Sequence, residues 1–306
     1  MRSPAVPRLL VLSGPTASGK SSLAMELSAH APVTLISADS RQIYRGFDIG
    51  TAKPSLAERA RVPHRMIDVA DPTECITAAQ WAEGAKIAIE ESWAEGRQPI
   101  VVGGTGFWIR ALLGDTPLAP VPPDPGERER LMALPDLHAR LAEVDPASAA
   151  KLHPNDRFRL ARALEIALAT GRPRTEVKVT RPRWQVLHLT LVPDRDKLRQ
   201  AIQTRTHAMN AMGWEQEVRQ LLALHGDDLP LLDTLGYREW REVIRNGRKQ
   251  EEAMASIVVR TWQYARRQSS WFRHEHAARP WPVVTEASPS HAAARIWEAW
   301  QAWQTP

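Results

Sequence analysis

The sequence predicts an α/β protein: a parallel sheet with crossover helices, into which an all-helical subdomain is inserted. In the first third of the chain, short apolar runs alternate with segments of helical spacing, which is typical of β–α–β units. Residues 115–125 then contain five prolines, and only helical patterns follow them. An apolar run returns at 185–192, so the helical block lies between strands of one sheet.

Each predicted element has a signal of its own. Apolar runs predict four strands: Arg8–Ser13, Val33–Ile36, Pro99–Val102 and Gln185–Val192. Helical spacing predicts helices at Ser21–His30 and Thr77–Gly96, the second of which begins at a capping residue and ends at a glycine. Turn residues without a clean period place 40–54 in a loop. Every segment from 127 to about 171 is predicted to be helical, as is most of the chain between the last strand and Trp303.

These patterns predict three regions: 1–115, the first part of the core; 116–183, the helical insertion; and 184–306, which returns to the core and ends in helices. The 306 residues are 43% apolar and 25% charged, which excludes general disorder. A single cysteine, Cys75, excludes an internal disulfide and is expected to be a small buried side chain. No apolar run reaches the roughly eighteen residues of a membrane span and none precedes the first strand, so we expect a cytoplasmic protein without a leader.

Charge is distributed unevenly along the chain. Residues 1–125 carry 12 basic and 13 acidic side chains, residues 126–183 carry 12 and 8, and residues 184–306 carry 16 and 14. A near-neutral first part with a basic remainder indicates a polyanionic partner that is held outside the first part.

A glycine-rich segment between the first strand and the first helix matches the pattern G-x-x-x-x-G-K-[ST] of a P-loop. Its residues are Gly14, Pro15, Thr16, Ala17, Ser18, Gly19, Lys20 and Ser21. In this context, backbone N–H groups and the positive end of the helix dipole surround phosphate oxygens. Lys20 would reach the outer phosphates and the Ser21 hydroxyl suits a Mg²⁺ ligand. The segment predicts phosphate binding but no particular nucleotide, because nothing in it reads a base.

Two further residues follow predicted strands at the edge where α/β sheets bind ligands. Asp39 comes directly after the second strand and could hold Mg²⁺ or accept a proton from an incoming nucleophile; it could also cap a turn. Thr105 follows the strand that ends in Gly103 and Gly104, and could face the same crevice or be an ordinary turn residue.

Eight segments together resemble the tRNA dimethylallyltransferase (tRNA isopentenyltransferase) family, in the family's order and from Gly14 to Arg273. They are GPTASGKS at 14–21, DSRQIYRGFDIGTAKP at 39–54, PHR at 63–65, GGTG at 103–106, HPND at 153–156, RALE at 162–165, GYRE at 236–239 and YARRQ at 264–268. The P-loop pattern alone is unspecific, whereas the run at 39–54 is highly specific.

The resemblance implies transfer of a dimethylallyl group from dimethylallyl diphosphate to N6 of the adenosine at tRNA position 37. It implies that the P-loop holds this diphosphate, with Mg²⁺, rather than ATP, although the residues leave ATP binding open. The partner would be the anticodon stem-loop, and we expect a monomer. The implied catalytic residues are Asp39 as the N6 proton acceptor, Thr105 and Lys20, and Arg205 would hold the diphosphate. The implied tRNA contacts are Asp39, Ser40, Arg41, Gln42, Thr105, Arg128, Phe158, Arg159, Leu160, Ala161 and Arg162.

The chain departs from the family pattern at four positions. Ser21 replaces a threonine but keeps the hydroxyl group, and Phe158 stands where glutamine is common. Ala201 and Trp262 stand where the family often has arginine, which removes two cationic side chains. The insertion is also several residues short between 127 and 144.

A helical pattern near the C-terminus gives independent support for RNA binding. Arg260, Tyr264, Arg267 and Trp271 recur on one face, and alternating guanidinium and aromatic groups suit phosphate contact and base stacking. A half-buried helix with a solvated basic edge would give the same pattern. Three tryptophans farther along, at 297, 300 and 303, are expected to pack against the body of the protein.

The residues leave two alternatives to dimethylallyl transfer. A small-molecule P-loop kinase would use the same cradle for ATP, but it would also need an adenine site and usually a short arginine lid. A non-catalytic RNA-binding ATPase would show an apolar run ending in an aspartate for water activation, whereas the third strand ends in Gly-Gly-Thr.

Overall fold

The computed structural model describes residues 6–116, 118, 121, 124–173, 182, 184–275, 278–282 and 288–304. These residues form two compact units. One comprises the described parts of Met1–Cys75, Gly84–Gly106 and Arg183–Pro306, and the other those of Ile76–Glu83 and Phe107–Pro182. Much of the predicted proline-rich linker, and Arg183 at the predicted end of the insertion, lie outside the described residues.

The first unit is built on a parallel sheet. In chain order its strands are β1 (Arg8–Ser13), β2 (Val33–Ser37), β3 (His64–Arg65), β4 (Gln98–Gly103), β5 (Gln185–Val192) and β6 (Arg279–Pro282). They lie side by side in the order β3-β2-β4-β1-β5-β6, and every pairing is parallel. The prediction of a parallel sheet and its four long strands is confirmed. The sequence missed β3 because two residues show no period, and β6 because its prolines argue against a strand; proline is tolerated there at the edge of the sheet.

The central strands are mostly apolar, and nearly all of their residues are buried, because both of their faces are covered. Leu10 of β1 pairs with Ile100 of β4, and Leu12 pairs with Leu189 of β5. The same register brings the carboxyl ends of β1 and β4 together, with Ser13 opposite Gly103. The loops that follow these strands therefore leave the sheet at one edge.

The described helices connect and cover the strands. In chain order they are α1 (Lys20–Glu26), α2 (Leu56–Arg61), α3 (Ala78–Ala94), α4 (Gly106–Leu113), α5 (Pro125–Met132), α6 (Leu137–Val144), α7 (Pro146–Ala149), α8 (Arg157–Thr170), α9 (Arg195–Ala211), α10 (Trp214–His225), α11 (Tyr237–Asn246), α12 (Gln250–Arg273) and α13 (Pro289–Gln304). The predicted first helix is shorter than expected, since a 3₁₀ turn at Leu27–Ala29 ends it. The predicted cap of α3 is confirmed, because the Thr77 hydroxyl accepts a hydrogen bond from Gln80 N at 3.2 Å.

The core of the first unit lies between the sheet, α1 and α13. Leu12, Leu23 and Ile296 are among its fully or almost fully buried members, and Trp300 is 1% exposed. Trp297 and Trp303 pack against this cluster, and Trp300 stacks on Trp303 with ring centroids 5.3 Å apart. The prediction that these tryptophans serve packing is therefore confirmed.

The second unit is helical where it is described, as the sequence predicts for 127–171. α5, α6 and α8 enclose a cluster of buried apolar side chains that includes Leu131, Leu141 and Leu160. Gly171 ends α8 in the left-handed conformation, with φ 63°. Cys75, in contrast, is exposed, so the prediction that it is buried was wrong; it lies in an irregular segment before α3, and not on the apolar face of a helix or strand. Across the described residues we find no helix with the length and apolar character of a membrane span.

Candidate active site

A cavity of about 300 Å³ opens in the first unit at the carboxyl edge of the sheet. The P-loop forms one wall, and the turn after β2 forms a second. Side chains of α9 and α12 complete it, among them Arg205 and Tyr264. The cavity therefore gathers residues that are far apart in the sequence, as expected at this edge of a parallel sheet.

The P-loop presents backbone N–H groups to this cavity. Gly19 precedes α1 in the left-handed conformation, with φ 83°, and no side chain caps the helix. The N–H groups of the first turn of α1 are consequently available to an anion. The Lys20 ammonium donates to Pro15 O at 3.1 Å, which folds its side chain back along the loop.

Two cations in the cavity are close enough to perturb each other. Burial, and then the charge of Arg205, lower the pKa of Lys20 from 10.5 to about 8, while Asp39 opposes this shift. Burial also lowers the pKa of Arg205, again against the attraction of Asp39. Neither cation forms an ion pair with a described residue. An anion with more than one charge would relieve this repulsion.

Asp39 lines the cavity and also caps a turn, which was one of the interpretations that the sequence left open. One carboxylate oxygen accepts a hydrogen bond from Arg41 N at 2.9 Å, and the other forms none with a described residue. Thr105 supports this turn from behind: its hydroxyl oxygen accepts from Ser40 N at 3.1 Å. Gly103 allows the close approach, because a Cβ there would lie 2.1 Å from Ala38 O. Thr105 is therefore placed to orient the turn, and it is not among the residues that line the cavity.

Three neighbours of Asp39 differ in what they can offer a ligand. Ser40 and Arg41 line the cavity, and the Arg41 side chain is exposed without a partner among the described residues. The Gln42 amide is already used, since it accepts from Ser37 Oγ and donates to Thr51 O and Ala52 O, each at 3.1 Å. Gln42 therefore shapes the loop, and its amide would reach a base only by giving up these contacts.

Gln268 of α12 is a site residue to which sequence reasoning gave no role. Its side-chain oxygen accepts from Thr16 N at 2.8 Å, and its side-chain nitrogen donates to Gly104 O at 2.9 Å. A Cβ at position 104 would lie 2.5 Å from this nitrogen, which explains the second glycine of the GGTG motif. The last residue of the YARRQ segment thus joins the P-loop to the turn after β4.

Glu217 of α10 is a second residue that the sequence did not reveal. Its carboxylate accepts from three consecutive backbone N–H groups, at 48, 49 and 50, at 3.0, 2.6 and 3.1 Å. The Tyr237 hydroxyl donates to it at 2.6 Å, and burial together with this carboxylate raises the pKa of Tyr237. Glu217 lies more than 160 residues from the loop that it binds, so no local pattern reveals the contact. The only signal in the sequence was the GYRE segment, which contains its partner Tyr237.

Comparisons with known proteins agree with this geometry. The sequence model of a family described as IPP transferase matches residues 42–275. The tRNA dimethylallyltransferase of Gloeobacter violaceus is 45% identical over 271 residues, which cover 88% of this chain and 90% of that protein. That of Thermosynechococcus vestitus is 43% identical and covers 87% of each chain. This chain belongs to the tRNA dimethylallyltransferase family.

Solved structures lead to the same family of prenyltransferase enzymes. The tRNA isopentenylpyrophosphate transferase of Bacillus halodurans superposes with a TM-score of 0.72 at 30% identity, covering 96% of each chain. A eukaryotic dimethylallyltransferase acting on tRNA superposes with a TM-score of 0.79 at 25% identity, covering 97% of this chain and 79% of that one. The fold predicted from the P-loop and the inserted helices is thus the fold of this family.

The sequence predicts tRNA contacts for several residues of the insertion. Their side chains are either exposed or shielded within the helical unit. Phe158 and the Arg159 side chain are 58% and 68% exposed. Leu160 and Ala161 are fully buried in the helical core, so their side chains are not available to RNA. Arg162 is 23% exposed and is held by Glu165 at 2.9 Å.

Arg128 is also held within the insertion. Its guanidinium lies 2.7 Å from Glu165 and 5.2 Å from the centre of the Phe158 ring, and its side chain is 15% exposed. Arg128 and Arg162 thus share one carboxylate, that of Glu165, which holds both in place but compensates only one of their two charges.

The basic and aromatic face predicted on α12 is divided among different tasks. Arg260 is paired with Glu239 at 2.6 Å. Tyr264 lines the cavity, where burial and then the charge of Asp39 raise the pKa of its phenol to about 12, so that it remains a hydrogen-bond donor at neutral pH. Arg267 is exposed and forms no ion pair with a described residue.

The cavity also offers oxygen ligands that fit the Mg²⁺ implied by the family. The Ser21 hydroxyl and the Asp39 carboxylate both line it. Within the described ranges, no group of three His, Cys, Asp or Glu side chains could hold a metal by itself. Magnesium is often bound by one or two protein oxygens together with substrate phosphates, and this pair of side chains fits that arrangement.

Proposed function

We propose that this protein transfers the dimethylallyl group of dimethylallyl diphosphate to N6 of the adenosine at position 37 of tRNA, next to the anticodon. The observation that carries the proposal is the cavity in which Lys20 and Arg205 lie near Asp39 without being paired to it. Two unpaired cations suit a diphosphate, and the nearby carboxylate suits the nucleophile.

The cations and the P-loop would stabilise the departing diphosphate. As the bond between the allylic carbon and oxygen breaks, its electron pair leaves with the diphosphate, whose negative charge grows. Lys20, Arg205 and the N–H groups at the start of α1 would interact more strongly with this charge than with the ground state, which is the condition for catalysis.

Asp39 would assist the attacking amine. The exocyclic nitrogen is a weak nucleophile because its lone pair is delocalised into the ring. As the C–N bond forms, N6 loses one proton, and the free oxygen of the Asp39 carboxylate would accept it. The hydrogen bond from Arg41 N fixes the orientation of this carboxylate. General-base assistance of this kind contributes roughly 10²–10⁴-fold to the rate.

Magnesium would be held by the Ser21 hydroxyl. Asp39 would be its second protein ligand in the alternative in which it does not accept the N6 proton. When bound, it would neutralise part of the diphosphate charge. The choice between the two roles of Asp39 is open to direct measurement.

The base must leave the anticodon stack to reach the cavity, at a cost of a few kcal/mol. Ser40 and Arg41 are available at the cavity to receive it, and Phe158 and Arg159 are exposed on the insertion. These contacts would offset the cost by binding the anticodon stem-loop.

Thermal stabilisation distinguishes this function from an ATP-dependent one. A ligand that binds only the folded state raises the melting temperature. With Mg²⁺ present, we expect dimethylallyl diphosphate to raise it more than ATP at equal concentration, and we expect Arg205→Gln to reduce the effect. Stronger stabilisation by ATP would favour the kinase or ATPase alternatives.

A further inference from the structure

A buried carboxylate on α10 holds the loop that follows the turn at Asp39. Glu217 is 8% exposed, and it forms no ion pair with a described cation. Its two oxygens instead accept hydrogen bonds from the three backbone N–H groups at 48–50 and from the Tyr237 hydroxyl. Hydrogen bonds to an ionised carboxylate are stronger than those between neutral groups, so this one side chain fixes three consecutive peptide units.

The same loop packs directly against two aromatic rings. The centre of the Tyr237 ring lies 4.7 Å from that of Phe47 and 5.8 Å from that of Trp214. A Cβ at Gly50 would lie 2.2 Å from Trp214 Nε1 and 2.5 Å from the Tyr237 ring. Because no side chain fits at this position, the backbone of the loop lies against α10 and α11, and these helices determine where it runs.

Gln42 connects this loop to the turn that carries Asp39. Its side-chain nitrogen donates to the backbone carbonyl groups of 51 and 52, each at 3.1 Å. Its side-chain oxygen accepts from Ser37 Oγ at the end of β2, also at 3.1 Å. The turn at 39–41 therefore lies between two fixed points, the end of β2 and the loop that Glu217 holds.

The loop forms part of the cavity wall, but it is separate from the groups proposed to bind the diphosphate. Gly50 and Thr51 line the cavity together with Asp39. Neither Lys20 nor Arg205 hydrogen-bonds a described residue of 39–54. A shift of the loop would therefore move Asp39 and leave the two cations in place.

We propose that Glu217 is a positioning residue for the transfer reaction: with Tyr237 it fixes the loop at 48–52, and through Gln42 it holds Asp39 where the target base meets the allylic carbon. The inference rests on the proposed function, which is what requires Asp39 at that place. Glu217 does not line the cavity and acts only on geometry. A displacement of about 1 Å at a reacting group can cost about 10²-fold in rate.

The test uses one nearly isosteric substitution, one milder variant and one matched control. Glu217→Gln replaces an oxygen by an NH₂ group, which cannot accept, so at least one N–H at 48–50 loses its partner. Tyr237→Phe removes only the hydroxyl and keeps the ring contacts. The control is Glu239→Gln, because Glu239 is fully buried and accepts from Gly236 N at 2.7 Å and from Arg260 at 2.6 Å, but binds no described residue of 39–54.

Melting temperatures verify folding, and single-turnover transfer at saturating tRNA and dimethylallyl diphosphate gives the rate. We expect Glu217→Gln to slow transfer by about 10–10²-fold, Tyr237→Phe to slow it less, and Glu239→Gln to leave it unchanged. Diphosphate affinity, measured separately, should stay within about twofold of wild type in all three variants. Hydrogen exchange of the peptide 39–54 should be faster in Glu217→Gln and Tyr237→Phe than in Glu239→Gln.

Equal rates in Glu217→Gln and Glu239→Gln, or faster exchange without a loss of rate, would overturn the proposal. A loss of diphosphate affinity as large as the loss of rate would also overturn it, since Glu217 would then support the whole cavity. If Glu217→Gln does not fold, Tyr237→Phe decides by the same criteria. Absence of transfer by the wild-type protein would instead contradict the proposed function. The exchange comparison would still decide whether Glu217 holds the loop, and equal exchange in the variant and the control would show that it does not.

Discussion

At the scale of single residues, the chemistry depends on cations that the protein holds close together before any ligand binds. Burial and Arg205 lower the pKa of Lys20 to about 8. The folded protein without ligand therefore disfavours the ammonium form of Lys20, which is the form that would bind the diphosphate. A diphosphate would reverse this, since its charge attracts both cations. Diphosphate binding thereby relieves the repulsion between the two cations. The cations are then already in place when the negative charge of the departing diphosphate grows.

The lowered pKa of Lys20 predicts a pH dependence. Above about pH 8 the free protein loses the ammonium, so kcat/KM for dimethylallyl diphosphate should fall as pH rises through this value. Because the unfolded chain keeps the ordinary value of 10.5, it binds more protons between about pH 8 and 10.5. The contribution of Lys20 to folding stability therefore increases with pH across that window. Measurements of kcat/KM and of folding stability over a pH series, on wild type and on Lys20→Arg, test both expectations. An identical fall of kcat/KM with pH in the two proteins would exclude Lys20 as its cause.

The assignment of Asp39 predicts a separation of rate from binding. Asp39→Asn should slow the chemical step by at least about 10²-fold, because the amide cannot accept the N6 proton. Affinity for the diphosphate should change little. Single-turnover kinetics and diphosphate binding, each with and without Mg²⁺, separate the roles. A metal-dependent loss of diphosphate affinity as large as the loss of rate would make Asp39 a magnesium ligand instead.

The sequence predicted those site residues that belong to a local pattern. The P-loop was recognisable because its residues are consecutive and lie between a strand and a helix. Gln268 and Glu217 were not, because their partners are 252 and about 168 residues away and depend on the tertiary fold. Asp39 was found as a residue after a strand, but its hydrogen bond from Arg41 N and its position on the cavity wall required coordinates.

At the scale of elements, α12 connects the P-loop to the sheet. Gln268→Ala would leave Thr16 N and Gly104 O without their partner, which costs about 1–3 kcal/mol in a partly buried place. We expect lower stability in urea denaturation and a higher KM for dimethylallyl diphosphate, with tRNA affinity unchanged. Gln263→Ala, on the exposed side of the same helix, is the control. Equal behaviour of the two variants would refute the role of Gln268.

The helix α8 gives two arginines different roles, and substitution should separate them. Burial opposes ionisation of Glu165, but the Asp124 N–H and the two arginines Arg128 and Arg162 outweigh it, so the pKa of Glu165 is lowered. Arg162→Ala should therefore lower the melting temperature, and this difference should vanish as acid protonates Glu165 below its ordinary pKa.

Arg159 provides the comparison. It is exposed and paired only with Asp156 at 3.4 Å, so Arg159→Ala should leave stability unchanged and weaken tRNA binding. Melting temperatures and tRNA titrations of both variants measure the split. If Arg162→Ala is as stable as wild type, Arg162 is not the structural residue inferred here.

At the scale of the whole molecule, charge counts along the sequence were a poor guide to free charge. The net of 126–183 is positive, yet Arg140 and Arg159 each pair with a carboxylate, and Arg128 and Arg162 share that of Glu165. Pairing depends on helix geometry and burial, which a count ignores. The sheet and the inserted helices were predictable because their hydrophobic periods are regular, whereas the distribution of unpaired arginines emerges only from the fold.

The diphosphate site and the tRNA-binding surface should be separable. Lys20→Ala should abolish turnover and leave tRNA affinity nearly unchanged, since Lys20 is folded along the P-loop and lines the cavity proposed to hold the diphosphate. Binding titrations beside single-turnover rates provide the comparison. A loss of tRNA affinity as large as the loss of rate would show that the two sites are not divided in this way.

The most direct test is transfer itself. The protein is incubated with unmodified tRNA, dimethylallyl diphosphate and Mg²⁺, and the digested RNA is analysed by mass spectrometry, with a tRNA carrying guanosine at position 37 as control. We predict that one adenosine, at position 37, becomes heavier by one isopentenyl unit, and that Asp39→Asn and Lys20→Ala slow or abolish this. Unmodified RNA after prolonged incubation with the wild-type protein, or the same mass increase in the guanosine control, would contradict the account.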